Sequence, residues 1–161
     1  MKLETCLFFL LMPELLFSQC NLQTEKDPFN GMITSFTKYE VLGRSIDEGT
    51  LRLKCVRHIL GGDTIMYLFV YLTPTRLSCF GGESKVLIKS GETIITLNLS
   101  GDIKCGNRNE ILADFAQLSN DDIYFLKQNK IDMIRIHFTE GYGDFSIRKS
   151  DYFIRTLKCF Q

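Results

Sequence analysis

Thiols are the groups best equipped for covalent chemistry in this 161-residue chain, and there are six of them. Cys6 lies inside an apolar N-terminal run, Cys20 just after it, and Cys55, Cys79, Cys105 and Cys159 form an even set in the body. No Cys-x-x-Cys pair occurs and no spacing matches a zinc site, so the sulfur chemistry expected is disulfide formation in an oxidising compartment. The runs Lys85 to Lys89 and Glu92 to Leu99, joined at Ser90-Gly91, read as a hairpin whose open end brings Cys79 and Cys105 together. A Cys79–Cys105 bridge is therefore predicted, with Cys55 and Cys159 as a second pair or as free thiols.

The other reactive groups assemble into no known catalytic pattern. His58 and His137 both alternate away from the apolar residues of their strands, which places them on the surface. There is no Gly-x-Ser-x-Gly elbow, no phosphate-binding glycine loop and no His-Glu-x-x-His, and Gly141-Tyr142-Gly143 reads as a hairpin turn. Asp102, Asn107, Asn109 and Glu110 put oxygen-bearing side chains in one loop, but their spacing is not that of a calcium loop and a polar turn is expected. An enzyme reading survives only as a pair of acidic residues that the sequence does not place. No cofactor or metal is expected.

Charge restricts the partners. Removing Lys2, Glu4 and Glu14 with the N-terminal segment leaves eighteen basic and seventeen acidic side chains, interspersed, so the basic footprint of a nucleic-acid binder is missing. There is no Trp, and a sugar platform would have to rest on Tyr.

The elements that must position these groups are strands. Turn signals recur at Asp27-Pro28-Phe29-Asn30-Gly31, Gly61-Gly62-Asp63, Gly81-Gly82, Ser90-Gly91, Gly101-Asp102, Cys105-Gly106-Asn107 and Gly141-Tyr142-Gly143. Strand-like runs lie between them: 33–42, 50–58, 64–72, 76–80, 85–89, 92–99, 111–118, 131–138 and 144–148. A helix is predicted over Ser119 to Lys130, with Ser119 as N-cap and Asp121 and Asp122 in its first turn, and another from Ser150, with Phe153, Ile154, Leu157 and Phe160 on one stripe. The fold class is mainly β to α+β: an antiparallel β-meander forming a sandwich or open barrel, with two short helices in the C-terminal third.

Residues 1–19 read as a signal peptide, with Lys2 before the apolar run Cys6 to Met12 and Ser18-Gln19 at the end; the run is too short for a membrane span. Residues 20–32 are expected to be a linker or tether and 33–161 a single β-rich domain. Cleavage after Ser18 leaves Gln19 first, whereas cleavage after Gln19 leaves Cys20 open to lipidation, the one route by which a membrane would be engaged.

The run Thr64 to Leu72 is apolar on both sides, with Met66, Leu68, Val70 and Leu72 on one face and Ile65, Tyr67, Phe69 and Tyr71 on the other. That pattern predicts a central strand. Its aromatic face is expected to be covered by the C-terminal helix, so that Phe69→Ala costs about 3–5 kcal/mol; left uncovered, Tyr67, Phe69 and Tyr71 become a ligand face.

The turn Asp27-Pro28-Phe29-Asn30-Gly31 after a Cys-led segment, the helix start Ser119-Asn120-Asp121-Asp122-Ile123, Ile134-Arg135-Ile136 leading to Gly141-Tyr142-Gly143-Asp144-Phe145, and the ending Phe17-Ser18-Gln19 together resemble small uncharacterised exported proteins and lipoproteins of Bacteroidetes-type bacteria. The resemblance implies a periplasmic or cell-surface setting and no assigned activity. The function expected is a noncatalytic exported module binding a protein, peptide or envelope component. Two alternatives stand beside it: an envelope inhibitor or immunity-type protein, and an enzyme with an unlocalised acidic site.

Overall fold

A computed structural model describes residues 20–99, 103–108 and 110–160. The signal-peptide expectation for residues 1–19 lies outside the described residues, as do Asp102 and Asn109 of the oxygen-rich loop.

In chain order the strands are β1 (Leu22–Lys26), β2 (Ile33–Thr37), β3 (Glu40–Ser45), β4 (Gly49–Leu60), β5 (Asp63–Thr73), β6 (Ser78–Phe80), β7 (Lys85–Ser90), β8 (Thr93–Asn98), β9 (Lys104–Gly106) and β10 (Leu112–Leu118). Helix α1 (Asn120–Gln128), β11 (Met133–Phe138), β12 (Gly141–Ser146) and helix α2 (Tyr152–Lys158) complete the order. The larger sheet runs β1-β2-β4-β5-β10 with β3 also on β4, the smaller runs β12-β11-β7-β8, and β6 pairs with β9. Every pairing is antiparallel.

The hairpin of β4 and β5 is the spine of the molecule. Its two-residue turn, Gly61-Gly62, has positive φ at both positions, the conformation that matches strand twist and that glycine reaches without strain. At the other end of β4, Gly49 sits so close to β5 that a Cβ there would lie 2.0 Å from the Thr73 carbonyl oxygen. From β4 and β5, Leu51, Leu53, Cys55, Leu68, Val70 and Leu72 point inward and are fully buried. They meet Val86, Ile88, Ile134, Ile136 and Phe145 of the smaller sheet, so the two sheets enclose one apolar core.

The 33–42 run, expected as one strand, is two. β2 pairs with Val56–Ile59 of β4 and β3 with Gly49–Leu53. Between them the chain leaves the ladder at Lys38-Tyr39, where the Thr37 hydroxyl substitutes for a strand: it accepts from the Cys55 N–H (3.2 Å) and reaches the Cys55 carbonyl (3.5 Å).

Residues 20–32 are not a tether. Residues 22–26 form edge strand β1, joined to β2 by a turn in which Asp27 Oδ1 accepts from Phe29 N–H (2.8 Å) and Asn30 Oδ1 from Met32 N–H (2.8 Å). The strand escaped the apolar pattern because Gln23, Thr24, Glu25 and Lys26 are all exposed and only Leu22 is half-buried.

The first helix is shorter than the 119–130 predicted, yet it starts where expected. Ser119 Oγ accepts from Asp122 N–H (3.1 Å) while an Asp122 carboxylate oxygen accepts from Ser119 N–H (2.9 Å), a reciprocal cap. Helix α2 buries Tyr152, Phe153 and Leu157 in the main core, with Phe160 beyond its end almost fully enclosed. It therefore packs on the inward side of the larger sheet and leaves the aromatic face of β5 uncovered, contrary to expectation.

Candidate ligand-binding face

The outward face of the larger sheet is organised by register. Tyr67, Phe69 and Tyr71 of β5 stand opposite Val56, Lys54 and Arg52 of β4 on one side and Gln117, Phe115 and Ala113 of β10 on the other. Because side chains alternate along a strand, all nine share one face. Beyond β4, Phe36 and Thr34 of β2 continue the rows of Val56 and His58.

The rings touch in a continuous path. Tyr39 lies 6.0 Å from Tyr71, Tyr71 6.4 Å from Phe69, Phe69 5.4 Å from Phe115, Phe115 5.5 Å from Tyr67, and Tyr67 5.4 Å from His58, measured between ring centroids. Edge-to-face and offset pairs of this kind are favourable in themselves, which keeps the rings ordered without a covering layer. The side chains of Tyr67, Phe69, Tyr71 and Phe115 are half-buried by one another, and Tyr39 is 62% exposed. His58 is fixed by a 2.9 Å hydrogen bond between its Nδ1 and the Thr34 hydroxyl.

Cations border the rings. Lys54 Nζ lies 4.0 Å from the centre of the Phe36 ring, and Arg52 donates to the Thr73 hydroxyl at 2.8 Å. Neither has a carboxylate partner among the described residues. Burial, and then the neighbouring Tyr39, raise the Tyr71 hydroxyl above the ordinary phenol value, so it stays neutral and able to donate.

The sequence singled out Tyr67, Phe69 and Tyr71, and the structure brings them together on this face. It missed Phe115, Tyr39, Phe36, Arg52 and Lys54. Phe115 alternates with Ala113 and Gln117 in a recognisable strand, but which strand pairs with β5 is a tertiary fact.

The remaining candidates are scattered or structural. Cys79 and Cys105 face each other across β6 and β9 and are joined by a disulfide. Cys159 is not paired with Cys55; it is joined to Cys20, which ties the N-terminal strand to the end of α2. That bridge occupies the Cys20 sulfur, which therefore cannot also carry a lipid thioether. Cys55 points inward from β4 beside the Tyr152 hydroxyl, and burial pushes its thiol up to about 12, partly offset by that hydroxyl, leaving it inert at neutral pH.

His137 lies on the outer face of the smaller sheet, 5.9 Å from Tyr142, and so belongs to a different surface from His58. Beside it Arg135 grips Asp144 with two bonds (2.6 and 2.7 Å), a contact that holds the Asp144 carboxyl below its ordinary range. In the oxygen-rich loop, Glu110 accepts from the Asn107 N–H (3.1 Å) and donates its own N–H to the Asn107 carbonyl (2.9 Å), a closed turn. No cluster of metal-ligating side chains occurs among the described residues. The two disulfides are compatible with an exported protein, and no helix among the described residues is long and apolar enough to cross a membrane.

Backbone groups at the adjoining edge are in part taken by side chains. Lys104 Nζ donates to the Ala113 carbonyl (3.2 Å), and the Phe115 N–H is taken by the buried Asp114 carboxylate (2.8 Å), so two backbone groups of β10 are already engaged by side chains. What this face offers is ring surfaces, hydroxyls and cations. Comparison with protein-family models, with curated proteins and with solved structures finds no match.

Proposed function

We propose that this chain is a noncatalytic exported binding module of the bacterial cell envelope, working at the periplasmic side or the cell surface, and that it holds its ligand on the outer face of the larger sheet. One observation carries the reading: a contiguous aromatic surface, Tyr39 to Tyr67, lies uncovered next to Arg52 and Lys54, which have no acidic partner among the described residues. Ordered aromatic groups that the core does not need are what a binding surface requires, since they supply contact area at low entropic cost. Rigid strands hold them, so little ordering is required on binding.

The test is a screen of the labelled mature chain against arrays of glycans, peptides and oligonucleotides, repeated with a Tyr67→Ala/Phe115→Ala variant. Binding by the wild type that the variant loses, while it keeps a cooperative melt, is expected. A ligand held equally well by the variant, or no ligand in any array, refutes the assignment of this face.

A further inference from the structure

The rings are continuous with a second feature at the end of the same face. Past Tyr71, β5 places Thr73 outward, opposite Thr50 of β4, which in turn is opposite Arg44 of β3. There an open groove of about 770 Å³ is lined by Arg44, Arg108 and Arg148 together with Thr50 and Thr73, and no carboxylate lines it. Arg108 is aimed by a 2.9 Å bond from its Nε to the Thr75 carbonyl, and none of the three arginines has an acidic partner among the described residues. Register places two acidic side chains on the outer face, Glu25 on the edge strand and Asp63 at the hairpin turn, both at the opposite end, where Asp122 of the α1 cap also lies beside Tyr67 and Phe115.

The face thus has a direction: rings along β5 from Tyr67 to Tyr71, then Arg52, then an arginine groove. From Tyr67 to Thr73 the strand spans roughly 20 Å at about 3.3 Å per residue, room for a short oligomer. Resting on the binding role argued above, we propose that the ligand is an acidic oligosaccharide, its rings lying over Tyr67, Phe69 and Phe115 and its anionic groups held by Arg52, Lys54 and the Arg44–Arg108–Arg148 groove.

Three physical points favour this class. Arginine forks match carboxylate and sulfate geometry, and unpaired cations in a groove without acids favour an anion. Saccharide rings carry apolar C–H faces that lie against aromatic rings, and hydroxyls that Tyr39, Tyr67, Tyr71, Thr50 and Thr73 can meet. An extended peptide is disfavoured because β4 and β5 are interior strands whose backbone groups are already paired. A single-stranded nucleic acid would share the stacking and the anion contacts, and an oligothymidylate arm in the titration separates it from the saccharide.

The experiment titrates the isotopically labelled mature chain with a hexameric oligogalacturonate, with the same hexamer after carboxyl reduction, with a polyglutamate peptide and with an oligothymidylate, at low and high salt. Amide shifts confined to β4, β5, β10 and the arginine groove are expected with oligogalacturonate, weakening as salt rises. An Arg44→Gln/Arg148→Gln variant should bind it about tenfold or more weakly, the scale of losing hydrogen bonds to a charged group, and should leave binding of the reduced hexamer unchanged. Equal affinity for the reduced hexamer overturns the acidic class. Tighter binding of polyglutamate or oligothymidylate at this face overturns the saccharide and leaves the face's binding role intact. Shifts from none of the four overturn the ligand class, while the array screen still judges the face.

Discussion

Two adjacent residues of β5 provide a direct measure of which side of the larger sheet is interior. Leu68 is fully buried between Cys55 and Ala116, so Leu68→Ala removes core volume that the surroundings cannot refill and should cost about 2–5 kcal/mol. Phe69, one position along, faces outward and is half-buried against Tyr71 and Phe115. Full burial of a Phe removes about 150–250 Å² from water, so roughly 100 Å² is at stake for Phe69. At about 25 cal/mol per Å² that is about 2.5 kcal/mol, an upper figure because truncation to Ala retains the Cβ and water fills the gap left on an open face. Phe69→Ala should therefore cost about 1.5–2 kcal/mol, below the 3–5 kcal/mol of a covered ring, and lower the melting temperature by about 3–8 °C for a domain of this size. Urea denaturation of both variants, with unchanged slopes, is the assay. If Phe69→Ala proves as damaging as Leu68→Ala, the aromatic face is covered in the folded protein and the argument for a binding surface falls.

Further outcomes concern sulfur. The Cys20–Cys159 bridge spans 139 residues and Cys79–Cys105 spans 26; the chain-entropy relation gives about 5 and about 3.5 kcal/mol respectively, as upper values. Cys159→Ser should thus lower the unfolding free energy more than Cys105→Ser, and the reverse ranking in denaturant melts would reject that account of the staples. Cys55, buried with its thiol pushed up to about 12, should resist iodoacetamide in the native protein and react once denatured, as read by intact mass. Native-state labelling of Cys55 would show that the region around α2 opens readily.

Much of this molecule was legible from one dimension. Periodicity located β4, β5, β7, β8, β10 and β11 because each has an apolar inward face that alternation exposes, and the start of α1 was legible because Ser119 and Asp122 make their cap locally. The Cys79–Cys105 bridge followed from hairpin geometry, since the intervening β7–β8 hairpin folds the chain back on itself. The two-sided apolarity of Thr64 to Leu72 marked β5 as interior, which its place between β4 and β10 bears out.

Tertiary structure alone decided the rest. Edge strand β1 buries almost nothing, so no hydrophobic signal announces it, and its place is fixed by pairing with β2 and by a bridge between residues 139 apart. Cys159 had two sulfur partners to choose between, and spacing cannot decide because long loops close at nearly the same entropic cost. The candidate site was half visible: Tyr67, Phe69 and Tyr71 lie in one strand, but Phe115, Lys54 and Arg44 join them through register between strands, and Tyr39 through the break between β2 and β3. Which of two apolar faces becomes the interior depends on where the smaller sheet and α2 dock. They dock on the aliphatic side, where Leu68, Val70 and Leu72 pack with no hydroxyl to satisfy, and leave outward the face whose tyrosines carry polar tips that water or a ligand can meet.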